Sequence, residues 1–265
     1  MSVILAPGFG GIEYGLDHPR ICWRSMGGVA ISGGDADGYP DTNALDVRTA
    51  LAWKPDAATG WIGADGDAQS ISYCGVAGHD LGTQNATVTV ERWTGSNWID
   101  VIDDTLVEND EPLVFLFAAV TTDQMRLRIV SADAAPRVGH VRFGAVTELP
   151  RKSLYAGTTP ISESRQYQYD TLRANNGAFL GRSIVSTSLS FAISVSHISE
   201  EWRRTEWAEF RNYANTQGAT FFYADRPESY PEDVAYAWSN SALTAARDMP
   251  NKRISVALDI QCEAL

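Results

Sequence analysis

Tryptophans at positions 53, 61, 93 and 98, with Asp56 and Asp100 close by in the chain, are the residues whose types and spacing suit recognition chemistry. An indole presents an apolar face that can stack on the apolar face of a pyranose. A carboxylate beside it can accept hydrogen bonds from ring hydroxyls. If they are exposed, Trp53, Asp56, Trp61, Trp93, Trp98 and Asp100 are carbohydrate-binding candidates. If they are buried, the same indoles fill a core.

Catalytic chemistry has less to work with. The stretch "GVAGHDLGTQNATVTVERW" (75–93) sets His79 beside Asp80 in a glycine-rich turn. No GxSxG elbow accompanies them, and none of the four histidines forms an HExxH pair. The better reading is a structural corner: Gly78 and Gly82 permit a tight path, Leu81 anchors it, and His79 sits within it. "PGFGGIE" puts Glu13 where a dinucleotide fingerprint needs its third glycine, and there is no Walker A sequence. "DADG" and "ADGDA" look like fragments of calcium loops without the rest of the spacing. Cys22, Cys74 and Cys262 are far apart and odd in number, which suits buried thiols rather than a disulfide framework or a zinc site. The chain is therefore expected not to be an enzyme and to need no cofactor.

Composition narrows the partners. The 265 residues are 44% hydrophobic and carry a net charge of −12. That sign disfavours a nucleic-acid backbone and an anionic membrane surface. The start "MSVILAPGFGG" lacks the basic region and long apolar core of a signal peptide, and no apolar run spans a membrane. Synthesis and folding in a cytoplasm are expected.

Elements must position these residues. To about residue 147 the signals are those of strands joined by turns. "NATVTVERW" alternates Ala86, Val88 and Val90 against Thr87, Thr89 and Glu91. "DQMRLRIVSA" alternates Met125, Leu127 and Ile129 against Arg126 and Arg128. This spacing indicates a β-sandwich or jelly roll. Beyond residue 148 come a polar stretch, a long serine-rich strand region and one strong helix, "SEEWRRTEWAEFRNYANTQG". Ser199 can cap it, Gly218 ends it, and Trp202, Trp207, Phe210 and Tyr213 fall on one side. Residues 151–265 read as a small α+β unit with the helix packed on a sheet.

Two resemblances follow from these residues. "TNALDVRTALAWKPDAATGWIGADGDAQSISYCGVAGHDLGTQNATVTVERWTGSNWIDV" resembles the discoidin-like, galactose-binding jelly roll, over about residues 20–147. That family binds ligands through loops at one end of the sandwich, here the segments around 35–46, 53–61 and 93–98. It often holds a structural calcium near the first loop, for which Asp46 and Thr49 are the closest matches. The stretches "LPRKSLYAGTTPISESRQYQYDT", "GAFLGRS", "EEWRRTEWAEFRNYA" and "ATFFYADRPESYPEDVAYAWS" resemble the distal-tail or minor-tail proteins of siphophages and prophages. This implies a tail-tube-like split β-barrel with one packed helix at 148–265, and residues 1–19 as an N-terminal arm that could add a strand to it. It further implies a ring, hexameric by resemblance, at the virion tail tip, with the tail tube and tip hub proteins as partners and a host-surface glycan as ligand. The jelly roll would project outward, either to bind sugar or to act as a spacer. A free-standing carbohydrate-binding adhesin is a distinct alternative, and a hydrolase with an ancillary jelly roll is a third.

Overall fold

The computed structural model describes residues 3–152, 160–216, 218–248 and 253–263. Positions 153–159 of the tail-like stretch lie outside the described residues. The strands, in chain order, are β1 (Val3–Leu5), β2 (Arg20–Cys22), β3 (Val29–Ser32), β4 (Thr59–His79), β5 (Ala86–Trp93), β6 (Trp98–Leu106), β7 (Leu113–Ser131), β8 (Val138–Gly144), β9 (Thr147–Glu148), β10 (Arg165–Arg173), β11 (Phe179–Ile198), β12 (Phe221–Arg226), β13 (Tyr230–Ser239), β14 (Thr244–Asp248) and β15 (Arg253–Cys262). They form two sheets, antiparallel but for β1 against β7. The chain is mainly β. Among the described residues no helix is long and apolar enough to cross a membrane.

The first sheet is built on the long strands β4 and β7. Their pairing breaks register between Asp65 and Gln69 and between Ile71 and Tyr73. Such breaks let a ribbon bend. The early half of β4 lies between β3 and β7, and its late half lies between β7 and β8. One core draws on both halves: Ile62, Val88, Val90, Leu127 and Ile129 from one, Cys74, Val76, Phe115, Val138 and Phe143 from the other. β7, Leu113–Ser131, is thus one strand bent through both halves of the sheet.

The second sheet runs β10-β11-β15-β13-β12-β2-β9, with β14 paired to β15. The helix lies against it as Glu200–Trp202, a π-helical stretch Arg203–Trp207, and Ala208–Ala214. The Ser199 hydroxyl accepts from the Trp202 N–H at 3.2 Å and caps it. Trp202, Trp207 and Phe210 are buried in the second core with Val195, Phe221 and Ile260, and Tyr213 packs at its margin.

A third core joins the sheets, with Tyr73 and Ala77 of β4 against Phe222 of β12 and Tyr236 of β13. Gly75 is required there: a Cβ on it would strike the Phe222 ring. The amino-terminal segment departs from expectation. Val3–Leu5 does not add to the second sheet but pairs in parallel with Val114–Leu116 of the first. It is Arg20–Cys22 that joins the second sheet, between β12 and β9. Arg20 is fully buried and pairs with Glu148 at 2.9 Å, and the Glu148 carboxylate also accepts the N–H groups of Ile12, Glu13 and Tyr14. That single carboxylate ties the leading loop to the second sheet, which explains the altered assignment.

Candidate functional site

Three of the four candidate tryptophans meet on the outer face of the first sheet. β5 and β6 form a hairpin whose last cross-strand pair is Trp93–Trp98, closed by the turn at 94–97 with Gly95 at φ +87°. β4 places Trp61 opposite Arg128 of β7, and Arg126, two residues away on the same face, stands opposite both Gly63 and Glu91. Residues alternate across a strand, so Met125, Leu127 and Ile129 enter the core while Arg126 and Arg128 point outward.

The ring centres of Trp93 and Trp98 are 5.3 Å apart, and those of Trp61 and Trp98 are 6.3 Å apart. The Arg126 guanidinium carbon lies 4.3 Å from the Trp98 ring centre and 5.3 Å from that of Trp61. Arg126 also pairs with Glu91, which is buried beneath it. Arg128 adds a second cation, 3.6 Å from Glu91 and 2.8 Å from Asp104. The three indoles are half-buried. Trp23 and Trp53 give their N–H groups to Thr147 and Asp35. Among the described residues, Trp61, Trp93 and Trp98 have no such acceptor.

Trp61 rests on the backbone of Gly33, where a Cβ would collide with its indole nitrogen, and the exposed Asp56 carboxylate lies against the adjoining Gly34. Asp100, exposed and opposite Glu91, closes the other side. Partial burial, then the charge of Glu91, raises its pKa above the usual carboxylate range. The face can therefore stack on a flat apolar surface, donate from three indole nitrogens and accept at Asp56 and Asp100.

The remaining candidates lie elsewhere. Trp53 is a correction: it is fully buried in the first core, its N–H on Asp35 at 2.8 Å, and it cannot meet a ligand. The sites are also on a sheet face rather than on loops at the sandwich end, because Trp61 lies within β4. Asp46 is held by Arg48, whose backbone N–H and guanidinium occupy both carboxylate oxygens. Those bonds hold its pKa down to about 2. Among the described residues no group of three His, Cys, Asp or Glu could hold a metal ion. Thr49 packs under Gly78 and bonds Glu263 instead.

Gly78 (φ +63°), His79, Leu81 and Gly82 form a strand-end corner. Leu81 is in the core, and a Cβ on Gly82 would meet the backbone of Asn109. His79 is buried there, and burial pushes its pKa down to about 4. Sequence reading missed Arg126, Glu91 and Gly33 as members of the face. Alternation marks Arg126 as outward-facing, but only the β4–β7–β5 register shows that it falls between two tryptophans.

The fold and face define a two-sheet β protein with an outward aromatic patch. No family model matches the chain, and no curated protein sequence matches it. Solved structures similar to part of it include carbohydrate-binding modules and a Ruminococcus gnavus GH29 fucosidase. One is a pectin-binding module (14% identity, TM-score 0.40, covering 44% of this chain and 89% of that chain). Another is chitosan-binding module 1 of a Paenibacillus sp. IK-5 chitosanase/glucanase (15% identity, TM-score 0.38, 46% and 98%). A third is a Clostridium perfringens module in complex with GalNAc-β-1,3-galactose (9% identity, TM-score 0.39, 44% and 94%).

Proposed function

We propose that this protein is a non-enzymatic glycan-binding protein whose ligand lies on the Trp61–Trp93–Trp98 face. The observation that carries the reading is the set of three half-buried indoles, with no hydrogen-bond acceptor among the described residues, braced by Arg126 on an open sheet surface. Stacking supplies affinity, and Asp56 and Asp100 supply orientation. A single face of this kind supports affinity of about millimolar order, and several copies on one particle convert that into avidity. A glycan array probed with the intact protein tests it. Binding to a defined saccharide set, abolished in Trp61→Ala/Trp98→Ala, is expected. Silence across the array, or unchanged binding by the double variant, would overturn the reading.

A second reading concerns how copies are gathered. β10 and the first part of β11 form a hairpin with Leu172, Phe179, Leu180, Ile184 and Val185 exposed, and β10 is the open edge of its sheet. Apolar residues on an unpaired edge favour association. We infer that residues 148–265 assemble into a ring, in keeping with the resemblance to tail-tube-like proteins, at a siphophage tail tip. The tube and hub proteins flank that ring, and the tryptophan face is turned outward toward host glycans. The chain is made in the host cytoplasm and carried on the virion. Rings in negative-stain images of concentrated protein are expected; a monomer at every concentration, and with tube protein added, would remove this reading while leaving glycan binding intact.

A further inference from the structure

β11 pairs with β15 in register as far as Val195 opposite Val256, and the next pair is Ile198 with Ile254. Ser196 and His197 therefore stand against one residue of β15, as a bulge. Val195 and Ile198 are both buried in the second core. The bulge is what lets two residues three apart in a strand face the same way, and it leaves Ser196 half-buried and His197 exposed. His197 has φ +62°. Glycine takes that conformation freely, whereas a Cβ is disfavoured there. Residues held in such conformations cluster at functional sites.

The bulge forms one wall of an open pocket of about 300 Å³, and Arg151 and Lys152, on the chain leaving β9, form the other. β9 and β11 are not neighbours in the sheet, so the pocket brings together two separate parts of it. Among the described residues its lining is two cations, an imidazole and a hydroxyl, with no carboxylate. The sequence beyond Lys152 holds no acid before Glu163. In a chain of net charge −12 this is a local reversal of sign.

The cations are available. Arg151 is exposed and makes no ion pair or hydrogen bond among the described residues. Lys152 lies 3.5 Å from Asp17, but the two oxygens of that carboxylate are already taken by the N–H and hydroxyl of Ser229, at 3.0 and 2.7 Å. An exposed pair of that length is weak, and the ammonium keeps further N–H donors. Ser196 Oγ and His197 Nδ1 are 3.0 Å apart. With the hydroxyl donating to Nδ1, the ring proton sits on Nε2 and the imidazole is a donor too. Arg151, Lys152 and His197 are all open to solvent, so a guest can reach each of them.

The donors come from two walls and carry two positive charges. A carboxylate offers one charge in one plane. A phosphate group carries between about −1.5 and −2 at pH 7, on three oxygens that point in different directions. The arginine fork takes two oxygens, and lysine acts as a point charge on the third. We propose that this pocket binds a phosphate group through Arg151, Lys152 and His197, either free or as the ester of a small alcohol. The site is separate from the tryptophan face and does not depend on it.

The test titrates the full chain with inorganic phosphate, glycerol 3-phosphate, acetate and glycerol, at fixed pH and ionic strength. Ring ¹⁵N spectra follow His197, with the buried His79 and His140 as internal controls. Both phosphates should bind saturably, at about millimolar order, and shift the His197 resonances alone; the tighter of the two names the source. Acetate should bind at least about tenfold more weakly, and glycerol should leave His197 unmoved. Arg151→Gln should lose at least about tenfold in phosphate affinity with the melting temperature unchanged. His197→Gly removes a donor and relieves the backbone, so it should weaken phosphate binding, read from the ³¹P signal of the probe, without lowering the melting temperature. An unmoved His197 at high phosphate, acetate binding as tightly as phosphate, or undiminished binding by Arg151→Gln would overturn the proposal. So would a His197→Gly chain that melts lower and binds phosphate as before, since the ring would then merely brace the bulge.

Discussion

The Arg126 guanidinium lies against both Trp98 and Trp61, with its carbon 4.3 Å and 5.3 Å from the two ring centres, while its Nε holds Glu91. One side chain therefore fixes the spacing of two indoles and neutralises a buried carboxylate. Arg126→Gln removes the charge and leaves Glu91 to Arg128, which is 3.6 Å away. Breaking a buried pair costs about 3–5 kcal/mol, and the remaining cation brings the expected loss to about 2–3 kcal/mol. Glycan affinity should fall about tenfold as the platform loosens. Urea unfolding and calorimetry check the two effects. A variant as stable and as competent as the parent would show that Arg126 merely covers the surface.

Trp53 and Trp98 should behave as opposites. Trp53 is fully buried, so Trp53→Ala should cost about 3–5 kcal/mol. Trp98 is half-buried on the outer face, so Trp98→Ala should cost about 1 kcal/mol of stability and most of the saccharide affinity. Thermal unfolding beside saccharide titration separates the pair. If Trp98→Ala were the more destabilising change, the face would be a core in disguise.

The contrast shows what the sequence could and could not reveal. Period-two alternation at 85–93 and 123–131 identified the core side of β5 and β7, because Val88, Val90, Leu127 and Ile129 each have one buried face to satisfy. The helix was legible from its cap and its aromatic stripe for the same reason. Trp53 and Trp61 were not separable: both are single indoles near glycine and proline, and only the bridge of Trp53 to Val138 and the pairing of β4 at Trp61 put one inward and the other outward. The strand Arg165–Arg173 gave no signal, since its side chains are exposed throughout and no amphipathic pattern forms. Arg142 and His140 sit in a strand that is buried along its length, where a polar residue reads only as an interruption.

Stability should fall as the solution is acidified through the histidine range. His79 and His140 ionise at about 4 and about 3 in the folded chain, against 6.5 unfolded, because burial disfavours the charged ring. Above pH 7 neither state binds these protons, and their contribution is level. Below 6.5 the unfolded chain takes up protons that the folded one refuses, so stability drops at about 1.4 kcal/mol per pH unit for each histidine. Both act down to about pH 4, and His140 continues to about pH 3. Asp46 and Glu200, lowered to about 2 by bonds to Arg48 and to Arg203 and Arg204, add losses only below about pH 4.5. Chemical denaturation between pH 7 and pH 4.5 should show the slope, and His79→Gln should halve it. A flat profile across that window would mean the histidines are hydrated.

The hairpin of β10 and β11 should govern association without touching the sugar face. Leu172 is 61% exposed, Phe179 and Leu180 are each 66%, and Val185 is 61%. Apolar side chains this open on a projecting ribbon add little to the fold that carries them, so replacing them should be close to neutral for stability. Association is another matter, because each would leave water only when a second copy covers it, at about 25 cal/mol for every Å² removed. The variant Leu172→Ser/Phe179→Ser/Leu180→Ser should therefore melt within a few degrees of the parent and bind saccharide in solution with the same single-site affinity. It should fail to form larger species in sedimentation velocity runs at high concentration, and it should lose whatever avidity the assembled form shows on a glycan-coated surface. Oligomers of unchanged size in the triple variant would move the contact elsewhere on the second sheet. A collapse in melting temperature would instead place the hairpin within the fold of a single chain.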